Sequence, residues 1–196
     1  MSAHHETEPG ATAGATAPDL AARCAAIEVL IVDVDGVLTD GVIALDDRGV
    51  ETKHFHVRDG SGVHLWRQAG KRVAILSGRS APLVDRRAAE LGIAPVVQGA
   101  AQKGGPFARL LEELSVEPRQ VCYVGDDLAD LPPLRSAGLA ACPADAAPEA
   151  KAAAHLVTAT PGGRGALREV VETILKAQGH WQGLIDRYDR PAIAPP

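Results

Sequence analysis

At 196 residues, with 46% apolar and 23% charged side chains, the chain has the size and make-up of one globular domain. No apolar run nears the roughly 18 residues of a membrane-spanning helix, because residues 27–32 are followed at once by Asp33 and Asp35. The 20 Lys and Arg against 25 Asp and Glu leave a formal charge of −5, which argues against a nucleic-acid partner.

Residues 1–26 hold little apolar bulk beyond Met1 and Leu20 and are rich in Ala, Thr, Gly and Pro. Such a stretch does not offset the entropy of ordering, so it predicts a disordered extension, with a helical turn after Pro18. Its start has neither the positive charge nor the apolar core of a secretory signal, and the expected location is the cytoplasm. Cys24, Cys122 and Cys142 are isolated and read as small buried hydrophobes, with no disulfide framework or zinc site.

From residue 27 onward, short apolar runs alternate with segments of helical period. The runs 27–32, 72–76, 95–97, 121–124, 139–141 and 155–157 predict strands. The spacing predicts helices over 81–91, 107–114, 127–137 and 164–178, the last with Leu167, Val170, Val171, Ile174 and Leu175 on one face. This alternation predicts an α/β, Rossmann-like three-layer fold built on a parallel sheet. Residues 41–57 break the pattern: two runs flank Asp46-Asp47-Arg48-Gly49, a polar turn, and predict an inserted β-hairpin. Trp181, Leu184, Ile185 and Tyr188 form a helical stripe that packs on its own domain or on a neighbouring chain, and the Pro-rich 189–196 reads as a loose tail.

In open α/β sheets ligands bind beyond the carboxyl ends of the strands. Here those ends carry Asp33-Val34-Asp35-Gly36, then Ser77-Gly78-Arg79, then Gly125-Asp126-Asp127-Leu128-Ala129-Asp130, with Lys103 opening the helix after the third strand. Carboxylates converging from two strands repel unless a cation lies between them, and an all-oxygen site suits Mg2+. Ser77, backbone amides and Lys103 supply partners for phosphate oxygens. Taken singly, Asp127 reads as a helix cap, and Asp130 as a group that orients Lys103 or a loop amide. His54 and His56 share a strand face but have no third ligand, so no metal is assigned to them. The glycines of 162–165 read as a loop turning into the last helix.

These runs, extended through Val37-Leu38-Thr39-Asp40-Gly41, resemble the four motifs of the haloacid dehalogenase-like hydrolases. Phe55-His56-Val57-Arg58-Asp59-Gly60, Gln98-Gly99 before Lys103, and Pro161-Gly162-Gly163-Arg164-Gly165-Ala166-Leu167-Arg168-Glu169 are similar to the small cap-less phosphatases of 3-deoxy-D-manno-octulosonate 8-phosphate. The resemblance covers residues 27–178, leaving 179–196 as a C-terminal helix and tail. It implies that Asp33 attacks phosphorus, and that Asp35 protonates the leaving sugar oxygen and then activates water. It implies Mg2+ on Asp33, Asp126 and the main-chain oxygen of Asp35, phosphate contacts from Ser77 and Lys103, and support from Asp127 and Asp130. Substrate contacts are implied at Asp35, His56, Val57, Arg58, Asp59, Gly60, His64, Arg79, Arg87 and Lys103. His64 and Ser61 depart from the residues that relatives often place there.

Too few residues separate Asp35 from Asp59 for a cap domain. The resemblance implies a homotetramer around the 41–57 hairpin, neighbouring chains completing each site, and a role in lipopolysaccharide precursor synthesis. Beside it stand a phosphatase of nine-carbon, sialic-type 9-phosphates from the same family, a phospho-acceptor signalling domain, and a non-catalytic assembly subunit.

Overall fold

The computed structural model describes residues 17–189. Its centre is a six-stranded parallel sheet in the order β5 (Val96–Val97), β4 (Arg72–Leu76), β1 (Val29–Val32), β6 (Val121–Val124), β7 (Leu139–Cys142), β8 (Leu156–Val157). All four residues of β1, β6 and β7 are buried, the signature of parallel strands covered on both faces. Successive side chains point to opposite faces, so Leu30 and Val32 enter one core while Val29 and Ile31 enter the other.

On the first face pack α1 (Ala17–Ala25), α2 (Val57–Gln68), α3 (Pro82–Leu91) and α7 (Ala166–Ala177), which contribute Cys24, Val63, Trp66, Val84, Leu167 and Val171. On the second lie α4 (Gly104–Leu114), α5 (Leu131–Ser136) and α6 (Pro148–Ala153), with Phe107, Leu110, Leu134 and Ala150 inward. The expected three layers are therefore present, and no cap domain intervenes between β1 and α2. The register sets the site: Val32 lies opposite Ile75 on one side and Val124 on the other, so the chain leaves β1, β4 and β6 at one level.

The expected hairpin forms from β2 (Ala44–Leu45) and β3 (Glu51–Thr52), with Ala44 opposite Thr52. It is shorter than 41–57 suggested. Asp46 closes the turn by accepting from the N–H groups of Arg48 and Val50, and Gly49 takes a φ of +77°. Val42, Ile43, Leu45 and Val50 are each at least 52% exposed.

Two readings are corrected. Residues 17–26 are not a disordered extension: Cys24 is fully buried, Leu20 packs on the same core, and Arg23 Nη1 donates to Gly138 O at 2.8 Å. Leu20 and Cys24 are four apart, one helical face, and two such residues suffice because tertiary packing outweighs weak local propensity. Residues 1–16 lie outside the described residues, as do 190–196 of the expected tail. The predicted helix 127–137 divides into a 3-10 turn, Leu128–Asp130, and the short α5, because Pro132 and Pro133 fit a first helical turn but not an interior. The Trp181 stripe lies on α8 (Trp181–Tyr188), where Leu184 is buried and the Trp181 ring faces Arg168 and Lys176 at 5.4 and 5.0 Å.

Candidate active site

The turn that follows β1 is fixed by the backbone. Asp33 N donates to Val124 O at 2.9 Å, and Val34 O accepts from Leu38 N and Thr39 N at 2.9 and 3.0 Å. Gly36 has a φ of +84°, and a Cβ there would lie 2.0 Å from Asp126 Oδ2, so glycine is what lets the β1 and β6 ends approach. The approach creates a 270 Å³ cavity lined by Asp33, Asp35, Ser77, Arg79, Lys103 and Asp126, among others. These six, with Asp127 and Asp130, were singled out in the sequence and meet at one point.

At its floor, Lys103 Nζ lies 2.9 Å from Asp33 Oδ2 and 2.6 Å from Asp130 Oδ1. Asp130 is saturated: Tyr123 OH donates to the same Oδ1 at 2.5 Å, and Oδ2 accepts from Asp126 N and Asp127 N at 3.0 and 3.2 Å. It therefore aims Lys103 and shapes the loop. Asp127 caps the 3-10 turn by accepting from Leu128 N at 2.8 Å. Ser77 is buried at the cavity wall, its N–H given to Val97 O at 2.8 Å.

One carboxylate oxygen each from Asp33, Asp126 and Asp130 lie within 4.8 Å of one another. Burial raises Asp33 to about 6 although Lys103 opposes it, and burial with the charge of Asp33 raises Asp126 to about 7. Lys103 would be lowered by its own burial, but Asp33 and Asp130 outweigh this and hold it above its usual value. Asp33 Oδ1 is buried and has no hydrogen-bond partner among the described residues. An orphaned carboxylate oxygen beside a second, raised carboxylate fits a divalent, oxygen-seeking cation held by Asp33 and Asp126.

Asp35 stands apart from this floor. Its Oδ1 is ion-paired with Lys53, and its Oδ2 lies 3.7 Å from Arg79 Nε. Arg79 Nη2 donates to Glu51 Oε2 at 2.8 Å, and Lys53 is 3.1 Å from Glu51 Oε1. Sequence reasoning missed Glu51 and Lys53, though two residues apart on a strand share a face. Tyr123 was missed too, hidden among apolar strand neighbours.

The remaining substrate contacts are not brought to this cavity within one chain. Val57, Gly60, His64 and Arg87 line a separate groove of 590 Å³, where His64 pairs with Gln68 at 2.7 Å and Arg87 faces the Phe55 ring at 5.9 Å and Glu90 at 2.8 Å. Arg58 lines a third depression with Arg164. His56 caps α2, its Nδ1 accepting from Arg58 N at 3.1 Å. Asp59 is corrected: it is buried, and its two oxygens accept from Gly165 N and Arg168 N at 3.1 and 3.3 Å, so it clamps α7 to α2.

A model of haloacid dehalogenase-like hydrolases matches residues 56–138. The 3-deoxy-D-manno-octulosonate 8-phosphate phosphatase KdsC of Escherichia coli strain K12 is 46% identical over 166 residues, 85% of this chain and 88% of its own. That of Yersinia pestis is 45% identical over 170 residues, covering 87% and 91%. Among solved structures, the Moraxella catarrhalis enzyme in complex with magnesium, phosphate and KDO superposes with a TM-score of 0.86 at 38% identity, over 88% of this chain and 99% of that one. The Yersinia pestis crystal structure gives 0.82 at 45% identity, over 84% and 89%.

Proposed function

The chain belongs to the 3-deoxy-D-manno-octulosonate 8-phosphate phosphatase family of haloacid dehalogenase-like hydrolases, and from that premise we infer that it hydrolyses this sugar phosphate to the free sugar acid and phosphate with Mg2+ as cofactor. The observation that carries the reading is the pairing at the β1 and β6 ends: Asp33 with a free buried oxygen, Asp126 beside it, and Lys103 fixed 2.9 Å away. The nine-carbon alternative has no support among these relatives. A signalling domain or an inert subunit fits poorly with relatives named as phosphatases.

Asp33 attacks phosphorus, forming an acyl phosphate as the ester P–O bond breaks. Asp35 gives its proton to the leaving sugar oxygen, then takes one from the water that attacks the phosphorus of the acyl phosphate, releasing phosphate and restoring Asp33. Lys103 and Ser77 hold the phosphoryl oxygens. Mg2+ bound by Asp33, Asp126 and the main-chain oxygen of Asp35 would neutralise charge on the phosphoryl group and so ease the approach of one anion to another.

The same reading makes the chain a homotetramer built around the hairpin, in which the groove of Val57, Gly60, His64 and Arg87 on one chain serves the acidic cavity of another. The exposed Val42, Ile43, Leu45 and Val50 support it. Three unpaired cysteines suit the cytoplasm, and the product suits lipopolysaccharide precursor synthesis. The test is phosphate release from the eight-carbon 8-phosphate, a nine-carbon 9-phosphate and an aryl phosphate, each with and without Mg2+. A Mg2+-dependent preference for the first is expected; faster release from the nine-carbon ester would reassign the substrate, and equal release without metal would overturn the cofactor.

A further inference from the structure

An aspartate carboxyl group left unpaired turns about its two side-chain torsions, whereas acid and base roles need it in one orientation. The structure supplies a holder from an element outside the strand-end motifs. Lys53 follows β3 directly, and its side chain is only 2% exposed, so the hairpin strand runs back towards the end of β1 and buries a cation against Asp35, at the rim of the cavity. A buried ammonium is tolerated only when paired, and Lys53 has two anions: Asp35 Oδ1, and Glu51 Oε1 at 3.1 Å. Glu51 is fixed in turn from its other oxygen by Arg79 Nη2 at 2.8 Å, and Arg79 Nε reaches within 3.7 Å of Asp35 Oδ2. The four side chains close a ring in which each carboxylate faces both cations.

We propose that Lys53, backed by Glu51 and Arg79, is a positioning residue that fixes the Asp35 carboxyl group for proton delivery to the leaving oxygen and proton removal from water. The proposal rests on Asp35 being the acid and base of the reaction. Lys53 touches no reacting atom; it removes orientations of Asp35 that are useless to the reaction, and loss of such placement lowers the chemical step rather than binding. A lysine that merely anchored the hairpin would act differently, because its loss would disturb assembly and binding along with every substrate alike.

The test compares Lys53→Met and Lys53→Arg with the unaltered full-length protein, using the sugar 8-phosphate and an aryl phosphate. Lys53→Met is expected to lower kcat for the sugar ester by about tenfold or more with KM within about threefold. With the aryl ester, whose phenolate leaves without a proton, the first turnover should survive as a burst and only the later water step should slow. Lys53→Arg should recover much of the loss. In an Asp35→Asn background the Met substitution should add less than about threefold, since a residue acting through Asp35 has nothing left to position. Unchanged kcat for the sugar ester, loss of the burst, or an undiminished penalty in the Asp35→Asn background would each overturn the proposal. Should Lys53→Met melt early, Lys53→Gln, which keeps length without charge, is judged by the same outcomes. An Asp33→Asn control separates the two levels: turnover there would sink the acyl-phosphate reading itself, whatever Lys53 does.

Discussion

Asp33 and Asp126 dominate the electrostatics of the cavity. Burial lifts Asp33 to about 6 and Asp126 to about 7, against ordinary values near 3.8 for both. A carboxyl raised on folding is protonated more readily in the native state than in the unfolded one. These two groups thus favour the metal-free fold most below about pH 4, and that contribution is lost as pH rises through about 6 to 7. Mg2+ competes with the same protons and binds once they have left. The melting temperature without metal should therefore fall between about pH 5 and pH 8, and the increment from saturating Mg2+ should grow over that range. Equal increments at both ends would contradict the assignment of these two residues as ligands. At this scale the sequence is read most easily where a residue follows a strand: Asp33, Asp35, Ser77 and Asp126 needed only the strand ends to be found. Asp130 does both things foreseen for it, orienting Lys103 and receiving loop amides. Lys53 escaped because its partner, Asp35, is reached only after the hairpin folds back, which no local pattern encodes.

Among the elements, α2 and α7 depend on one buried carboxylate. Asp59 accepts from two N–H groups at the start of α7, and Gly62 lets the helices close until a Cβ there would lie 3.0 Å from Arg168 Cα. Asp59→Ala leaves those donors without a partner, and should lower stability by about 2–3 kcal/mol, read as a shift of the urea midpoint at constant slope. A change below about 0.5 kcal/mol would mean that water replaces the carboxylate without loss. The same residue shows why the run 55–60 was only half legible. Its motif marked the place correctly, but whether an acid in a motif faces a ligand or a neighbouring helix is decided by packing. α1 was hidden for a related reason, since its burial depends on the face that α7 and β7 offer. The central strands β4, β1, β6 and β7, by contrast, were legible because parallel strands buried on both faces need unbroken apolar runs.

For the whole molecule, the doubly covered sheet accounts for the acidic cavity, and the hairpin is the element proposed to bring copies of the chain together. The acidic cavity holds the reactive groups, whereas Val57, His64 and Arg87 line a groove elsewhere on the same chain. Exposed apolar side chains on the hairpin suit an interface between copies. Leu45→Asp should therefore shift the sedimentation coefficient to that of smaller species, and should reduce turnover of the sugar ester more than that of an aryl ester. An unchanged sedimentation profile would remove the hairpin from the interface. Composition could not reveal that these residues fall in two separate depressions, because a sequence carries all of them with no sign of where the fold places each.

A nucleophilic Asp33 in a Mg2+-dependent phosphatase cannot be replaced by its amide. The most direct measurement is phosphate release from 3-deoxy-D-manno-octulosonate 8-phosphate by Asp33→Asn, in saturating Mg2+, with the melting curve recorded on the same sample. A loss of more than about a thousandfold with folding intact is expected, since the amide neither attacks phosphorus nor carries the acyl phosphate. Turnover within about tenfold of the unaltered protein would remove Asp33 as the nucleophile.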